Sequence, residues 1–142
     1  MLVRCLYASR VVEPLTPGLL DSILRQSSKN NPLLGVTGLL CFTKNIFIQI
    51  IEGGRDEVNQ LYLTIARDDR HRDVQLLAFD EVSQRQFSNW TMGQVDIDAI
   101  NVSLVLKYSE KPQINPFVCS GQATMALLND LVATGSVISR TR

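Results

Sequence analysis

Several familiar signatures are missing from this chain. There is no GxGxxG for a dinucleotide, no GxxxxGKS/T for a nucleoside triphosphate and no GxSxG for a nucleophilic serine. Histidine occurs once, as His71, which excludes a two-histidine metal site or a metalloprotease helix. The pair Asp68-Asp69 is by itself too little to hold a cation. Cysteine is scarce: Cys5, Cys41 and Cys119 are odd in number and widely spaced, which argues against a disulfide or zinc framework. Two of them fall inside apolar strands and read as reduced core residues of a cytoplasmic protein. Neither sign of charge dominates, with 14 acidic and 14 basic residues and no block of either. That speaks against nucleic acid or an anionic membrane as the main partner. No apolar run approaches the roughly 20 residues of a membrane span, and the start of the chain lacks a signal-peptide pattern.

What remains is a chain of 142 residues with 45% hydrophobic content, enough for one domain with a real core. Its periodicity predicts the elements. Leu2 to Ala8 reads as a strand with Val3, Cys5 and Tyr7 on one face. Thr16 suits a helix N-cap and Pro17 the first helical position. Leu19, Leu20, Ile23, Leu24 and Ser27 share a helical face, and Asn30-Asn31-Pro32 is expected to end that helix, because a residue before proline is pushed out of the α region. A strand over Leu34 to Phe42, a turn at Thr43-Lys44-Asn45 and a strand from Ile46 to Glu52 form a hairpin. Val58, Leu61, Tyr62 and Ile65 mark a second amphipathic helix, closed by Asp68-Asp69-Arg70-His71. Strands follow over Val74 to Phe79 and Thr91 to Val95. The order βαββαββ predicts a ferredoxin-like α+β fold, two helices covering one sheet face, over residues 1–95. Residues 96–142 form a C-terminal helical extension, with helices at about 98–108 and 120–132. These are too apolar for a free tail and should pack on the other sheet face or on another subunit.

Against this frame one residue is out of place. Gln49 sits in the apolar run Ile46-Phe47-Ile48-Gln49-Ile50-Ile51. A buried primary amide has two donors and an acceptor to satisfy, and leaving them unpaired costs about 1–3 kcal/mol. If Tyr7 and Gln49 both face the helices, phenol and amide can lie side by side. Such a pair is either a buried hydrogen bond that only satisfies both groups, or the pair a light- or redox-active ring needs. Asn30 and Asn31 are either a C-cap or two amides aimed at the edge of a heteroaromatic ring. Arg70 and His71 either complement the dipole of the second helix or, with Asp68, contact a cofactor. Trp90 and Met92 are either core anchors or side chains that move between buried and exposed positions and carry a signal.

As a set, these pieces resemble the BLUF family, the sensors of blue light using flavin adenine dinucleotide. The matching segments are Leu6-Tyr7-Ala8-Ser9, Asn30-Asn31-Pro32, Gly35-Val36-Thr37-Gly38-Leu39-Leu40 and Phe47-Ile48-Gln49-Ile50-Ile51-Glu52-Gly53. Asp68-Asp69-Arg70-His71 and Phe87-Ser88-Asn89-Trp90-Thr91-Met92 complete the set. Order and spacing agree over about residues 1–95. Leu104-Val105-Leu106-Lys107-Tyr108-Ser109 and the last helix are similar to the extension of short, single-domain members of the cyanobacterial phototaxis type, with no fused output enzyme.

The resemblance implies FAD between the two core helices, with FMN or riboflavin as smaller forms that could be tolerated. It implies Tyr7 as photochemical electron and proton donor and Gln49 as bridge to the ring. Asn31 would bond the ring edge with Asn30 nearby. Ile23, Ser27 and Ile65 would line the slot, and Asp68, Arg70 and His71 would lie near ring, ribityl chain or phosphates. Trp90 and Met92 would sit near Gln49 and relay its change. Partners implied are the flavin and a separate downstream signalling protein, a response-regulator-like one being an option, together with homo-oligomerisation. One departure stands out: Thr64 replaces an arginine that several short members carry on the second helix. Two other functions are kept beside this one, a small flavin-dependent redox enzyme and a colourless ferredoxin-like interaction domain.

Overall fold

The computed structural model describes residues 1–135 and 137–139. Strand β1 (Leu2–Val11) leads to helix α1 (Pro17–Leu34), the hairpin β2 (Thr37–Phe42) and β3 (Ile46–Gly54), helix α2 (Arg55–Ala66), then β4 (His71–Val82) and β5 (Gly93–Asp96). After a 3-10 turn at Ile97–Ala99 come helices α3 (Val102–Tyr108) and α4 (Gly121–Ala133) and a two-residue strand, β6 (Ile138–Ser139). The sheet order is β4-β1-β3-β2-β5-β6, antiparallel except where β2 meets β5. The order β4-β1-β3-β2, with α1 and α2 on one face, is the ferredoxin-like arrangement read from the sequence.

Both faces of the sheet are covered, which explains why β3 is apolar almost without alternation. Phe47 and Ile51 pack with Leu24 of α1 and Val58 of α2, while Ile48 and Ile50 pack with Val105 of α3 and Leu127, Leu128 and Leu131 of α4. The C-terminal helices thus lie on the second face, one of the two placements that their composition left open. Lys107 and Tyr108 of α3 both bond Asp130 of α4 and tie the two together. Cys5 and Cys41 are buried free thiols, Cys5 pushed up to about 12 by burial, so neither is a thiolate at neutral pH.

Several boundaries differ from the sequence reading: β2 starts at Thr37 rather than Leu34, which ends α1, β4 runs from His71 to Val82 rather than from Val74 to Phe79, and β5 covers Gly93–Asp96 rather than Thr91 to Val95. The first helix does not stop at Asn30-Asn31-Pro32; it continues through Pro32 to Leu34 and ends at Gly35, in the left-handed region with φ 68°. Pro32 sits in the last turn, so only one further residue pair follows its disruption of the ladder, and the amides of Gly35 and Val36 close the helix on the carbonyls of Pro32 and Asn31. The Asn31 side chain bonds the Thr91 carbonyl at 2.9 Å and so holds the residue before proline in helical geometry. The helix expected at 98–108 is split, because the Asn101 side chain caps Ser103 and starts α3 afresh. Strand β6 has no periodic signal and was not expected.

Gly38 shows how tightly the hairpin is built. A Cβ there would drive into the Ile50 carbonyl oxygen, a backbone atom that cannot give way. Gly38→Ala is expected to lower stability by about 1–3 kcal/mol, read as a lower urea midpoint at unchanged slope.

Candidate functional site

The site lies between the sheet and the helices α1 and α2. Register places Tyr7 of β1 directly opposite Gln49 of β3, so both side chains rise from the same face of the sheet. The Tyr7 hydroxyl donates to Gln49 Oε1, and Gln49 Nε2 donates to the Met92 sulfur at 3.4 Å. Gln49 is 5% exposed, so this amide spends both ends on internal partners. Burial raises the Tyr7 phenol far above its ordinary range, with the Cys5 thiol, Tyr62 and Asp68 adding smaller contributions. Loss of the proton alone would therefore leave a buried, poorly solvated phenolate. The Tyr7 ring meets Tyr62 edge-on, with centroids 5.7 Å apart, and His71 at 6.4 Å.

His71, the first residue of β4, is held from two sides. One ring nitrogen, Nε2, meets the Ile65 carbonyl, which can only accept, so Nε2 carries the hydrogen and Nδ1 accepts from the Ser9 hydroxyl at 2.7 Å. Arg70 Nε donates to Asp68 at 2.9 Å, and its outer nitrogen reaches Gln26 of α1 at 3.1 Å. The Arg70 hydrogen bond holds the Asp68 carboxyl below the usual carboxylate range, against a smaller opposing effect of burial.

Tyr7, Ile23, Leu40, Phe47, Gln49, Ile65, Asp68, Arg70 and His71 enclose a cavity of about 60 Å³. Seven of these are residues singled out from the sequence; Leu40 and Phe47 are not, although their strand parity already places them on the face of Gln49. Ser27 is half-buried on α1, Asn30 is exposed, and Asn31 is buried on Thr91. Trp90 and Met92 part company: Met92 lies against Gln49, whereas Trp90 packs on the opposite face with the α3 and α4 core. Thr64 is exposed and its hydroxyl bonds back to the Gln60 carbonyl. Larger clefts, of about 620 and 780 Å³, border the segment between α3 and α4. Neither reaches Tyr7 or Gln49, so size does not locate the chemistry here.

Apolar walls with a phenol and an amide converging on one end suit a heteroaromatic ring. Among the described residues, Ser28 Oγ of α1, Thr91 Oγ1 and Ser109 Oγ are buried without a hydrogen-bond partner, and none of them lines this cavity.

Fold and site together define a ferredoxin-like domain with a buried phenol–amide pair between its sheet and its helices. The family model described as sensors of blue light using FAD matches residues 2–93. The chain belongs to this family, BLUF, the flavin-binding blue-light photoreceptors. The solved photo-activated state of BlsA is 29% identical, covers 100% of this chain and 99% of its own, and superimposes with a TM-score of 0.83. The dark-state structure of BlrB, a BLUF protein, is 29% identical over 94% of this chain and 96% of its own, with a TM-score of 0.76. Among curated proteins, the photoactivated adenylate cyclase subunit beta of Euglena longa is 32% identical over 87 residues, 61% of this chain and 10% of that protein. The chain thus spans about a tenth of the length of such cyclase relatives. The blue light- and temperature-regulated antirepressor BluF of Escherichia coli is 27% identical over 97 residues, 68% of this chain and 24% of that protein. No described helix is long and apolar enough to cross a membrane.

Proposed function

We propose that this chain senses blue light through a flavin held between α1 and α2, and that its output is altered binding to a separate signalling protein. The observation that carries this is the chain of contacts from the Tyr7 hydroxyl to Gln49 and from Gln49 to Met92. Ile23 and Ile65 would face the ring, with Ser27 beside them. Gln49 and Asn31 would offer amides to its polar edge, with Asn30 at the rim, and Asp68, Arg70 and His71 would meet the ribityl and phosphate side. Bound oxidised flavin supplies blue-light absorption and, once excited, an electron acceptor.

Tyr7 is the donor in this reading. Its buried hydroxyl would make a poorly solvated phenolate, so electron and proton leave as a matched pair and return in the same way. Gln49 is the switch. With its carbonyl taking the Tyr7 proton, its NH₂ faces Met92; rotation or tautomerisation reverses the donor set. The Tyr7 oxygen then faces an N–H, and the Met92 sulfur faces an acceptor it cannot bond. One hydrogen bond is worth about 1 kcal/mol net, a shift of roughly fivefold in a two-state equilibrium.

FAD is the proposed cofactor. The exposed Thr64 brings no cation to the α2 rim, so FMN or riboflavin could also be accommodated. The family resemblance supports a cytoplasmic setting, no catalytic output, self-association and a downstream protein partner, of which a response-regulator-like protein is one form. The relatives that name an enzyme do so in far longer chains.

The test is an absorption spectrum of the flavin-loaded protein in the dark and under blue light. Oxidised-flavin bands that move slightly to the red and relax back in darkness are expected. Bands that bleach, or that do not respond, would sink the Gln49 switch.

A further inference from the structure

Residues 90–93 form a strip that is tied to β2 at both ends and to α1 and β3 between them. The Trp90 carbonyl accepts from the Gly38 amide of β2 at 3.1 Å. The Thr91 carbonyl accepts from Asn31 of α1 at 2.9 Å, and the Met92 sulfur from Gln49 of β3 at 3.4 Å. Gly93 pairs with Leu39 of β2 on one side and with Ser139 of β6 on the other. The residue that touches the switch is therefore covalently joined to the residue that holds the C-terminal strand.

Gly93 is also a steric joint. A Cβ there would lie 2.8 Å from Val137 Cγ1, 3.0 Å from Leu39 Cδ1 and 3.2 Å from Trp90 Cγ, so these three side chains fill the space that a larger residue would claim. Val137 packs on the core of the second sheet face and leads straight into β6. That strand has two paired residues, shorter than strands usually are. An element with so few ladder bonds belongs to the low-stability end of a fold and opens first.

We propose that β6 is a dark-state cover on the outer edge of β5, released when the Gln49 amide turns. This rests on the reading of Gln49 and Met92 given above. Loss of the Gln49 bond frees Met92, the displacement passes through one peptide to Gly93, and Val137 loses its seat. Release of β6 bares the backbone groups of Gly93 and Gln94 on the outer edge of β5, the kind of edge that folded proteins otherwise keep paired or blunted.

Amide exchange of the flavin-loaded full chain, followed by NMR in the dark and under continuous blue light, tests this. The flavin spectrum of the same sample reports the switch independently. Exchange at the Gly93–Gln94 pairing site should accelerate about fivefold in the light, the factor of one net hydrogen bond, while Val95 and Asp96, which pair only with β2, stay unchanged. Val137→Asp should reach that rate already in the dark, with the red shift retained and the amides of β1 and β3 unchanged. A normal red shift without faster exchange at Gly93–Gln94 overturns the cover and leaves the photoreceptor reading standing. So does a Val137→Asp variant whose dark exchange equals that of the unaltered chain, or one in which β1 and β3 accelerate equally. Absence of any red shift overturns the underlying switch and the cover with it.

Discussion

Tyr7→Phe is expected to abolish the light-induced red shift while flavin stays bound. The substitution removes one oxygen and leaves the ring, which forms the wall of the cavity and meets Tyr62 and His71 edge-on. Its packing is therefore kept. What is lost is the donor to Gln49 Oε1 and, with it, a group able to give up electron and proton together. Phenylalanine can do neither at accessible cost. A modest loss of stability accompanies this, about 1–3 kcal/mol, because the Gln49 carbonyl is left unpaired in a buried position. Flavin retention is read from the oxidised bands after gel filtration, and the shift from a light-minus-dark difference spectrum. A difference spectrum of ordinary amplitude in this variant would remove Tyr7 from the photochemistry and restore the plainer account, in which Tyr7 and Gln49 only satisfy each other.

The second large effect is on folding. Glu52 is 0% exposed, yet it carries a carboxylate at the end of an apolar strand. It accepts from Arg4 Nε at 2.8 Å, from the Gln86 amide at 3.0 Å and from the Phe87 amide at 2.7 Å. The last two belong to the segment between β4 and β5 that goes on to Trp90 and Met92. Glu52→Ala would strand a largely buried guanidinium and two backbone donors at once. Breaking a buried pair in this way costs about 3–5 kcal/mol, a large part of the roughly 5–15 kcal/mol that holds a domain together. The urea midpoint of the flavin-free protein should fall accordingly. Glu52→Gln keeps the shape and one acceptor and should lie between the two. A midpoint unchanged in Glu52→Ala would mean that Arg4 and the loop amides find other partners.

Much of this was legible because the signals are local and repeated. The N-cap at Thr16 with Pro17, the i, i+3, i+4, i+7 pattern of α2 and the hairpin around Thr43-Lys44-Asn45 each follow from short-range chemistry. Gln49 was conspicuous because a polar residue interrupts an apolar strand. What escaped depends on partners distant in sequence. Pro32 looks like a terminator until the Asn31 side chain is seen bonded to Thr91, sixty residues away. Trp90 and Met92 are two residues apart and would share a face in a regular strand. They do not, because β5 starts only at Gly93 and the strip before it is irregular. Glu52 could have been found: its parity puts it with Ile48 and Ile50, and a carboxylate on that face needs a cation and amides close by. Strand β6, with two residues, is too short for a periodic signal and shows itself only through its pairing with β5.

The pleat of β3 has a consequence for how such a domain can diversify. Odd-numbered residues from Phe47 to Ile51 look toward α1 and α2, and even-numbered ones toward α3 and α4. One backbone thickness thus separates the chamber holding Tyr7 and Gln49 from the core under the C-terminal helices. Mutations that remodel the underside can accumulate without changing the colour of light absorbed, and mutations that tune the colour need not disturb what the underside displays. A lineage could keep the upper chamber as inherited while trying successive attachments below, with Gly93 as the place where the two histories must still agree.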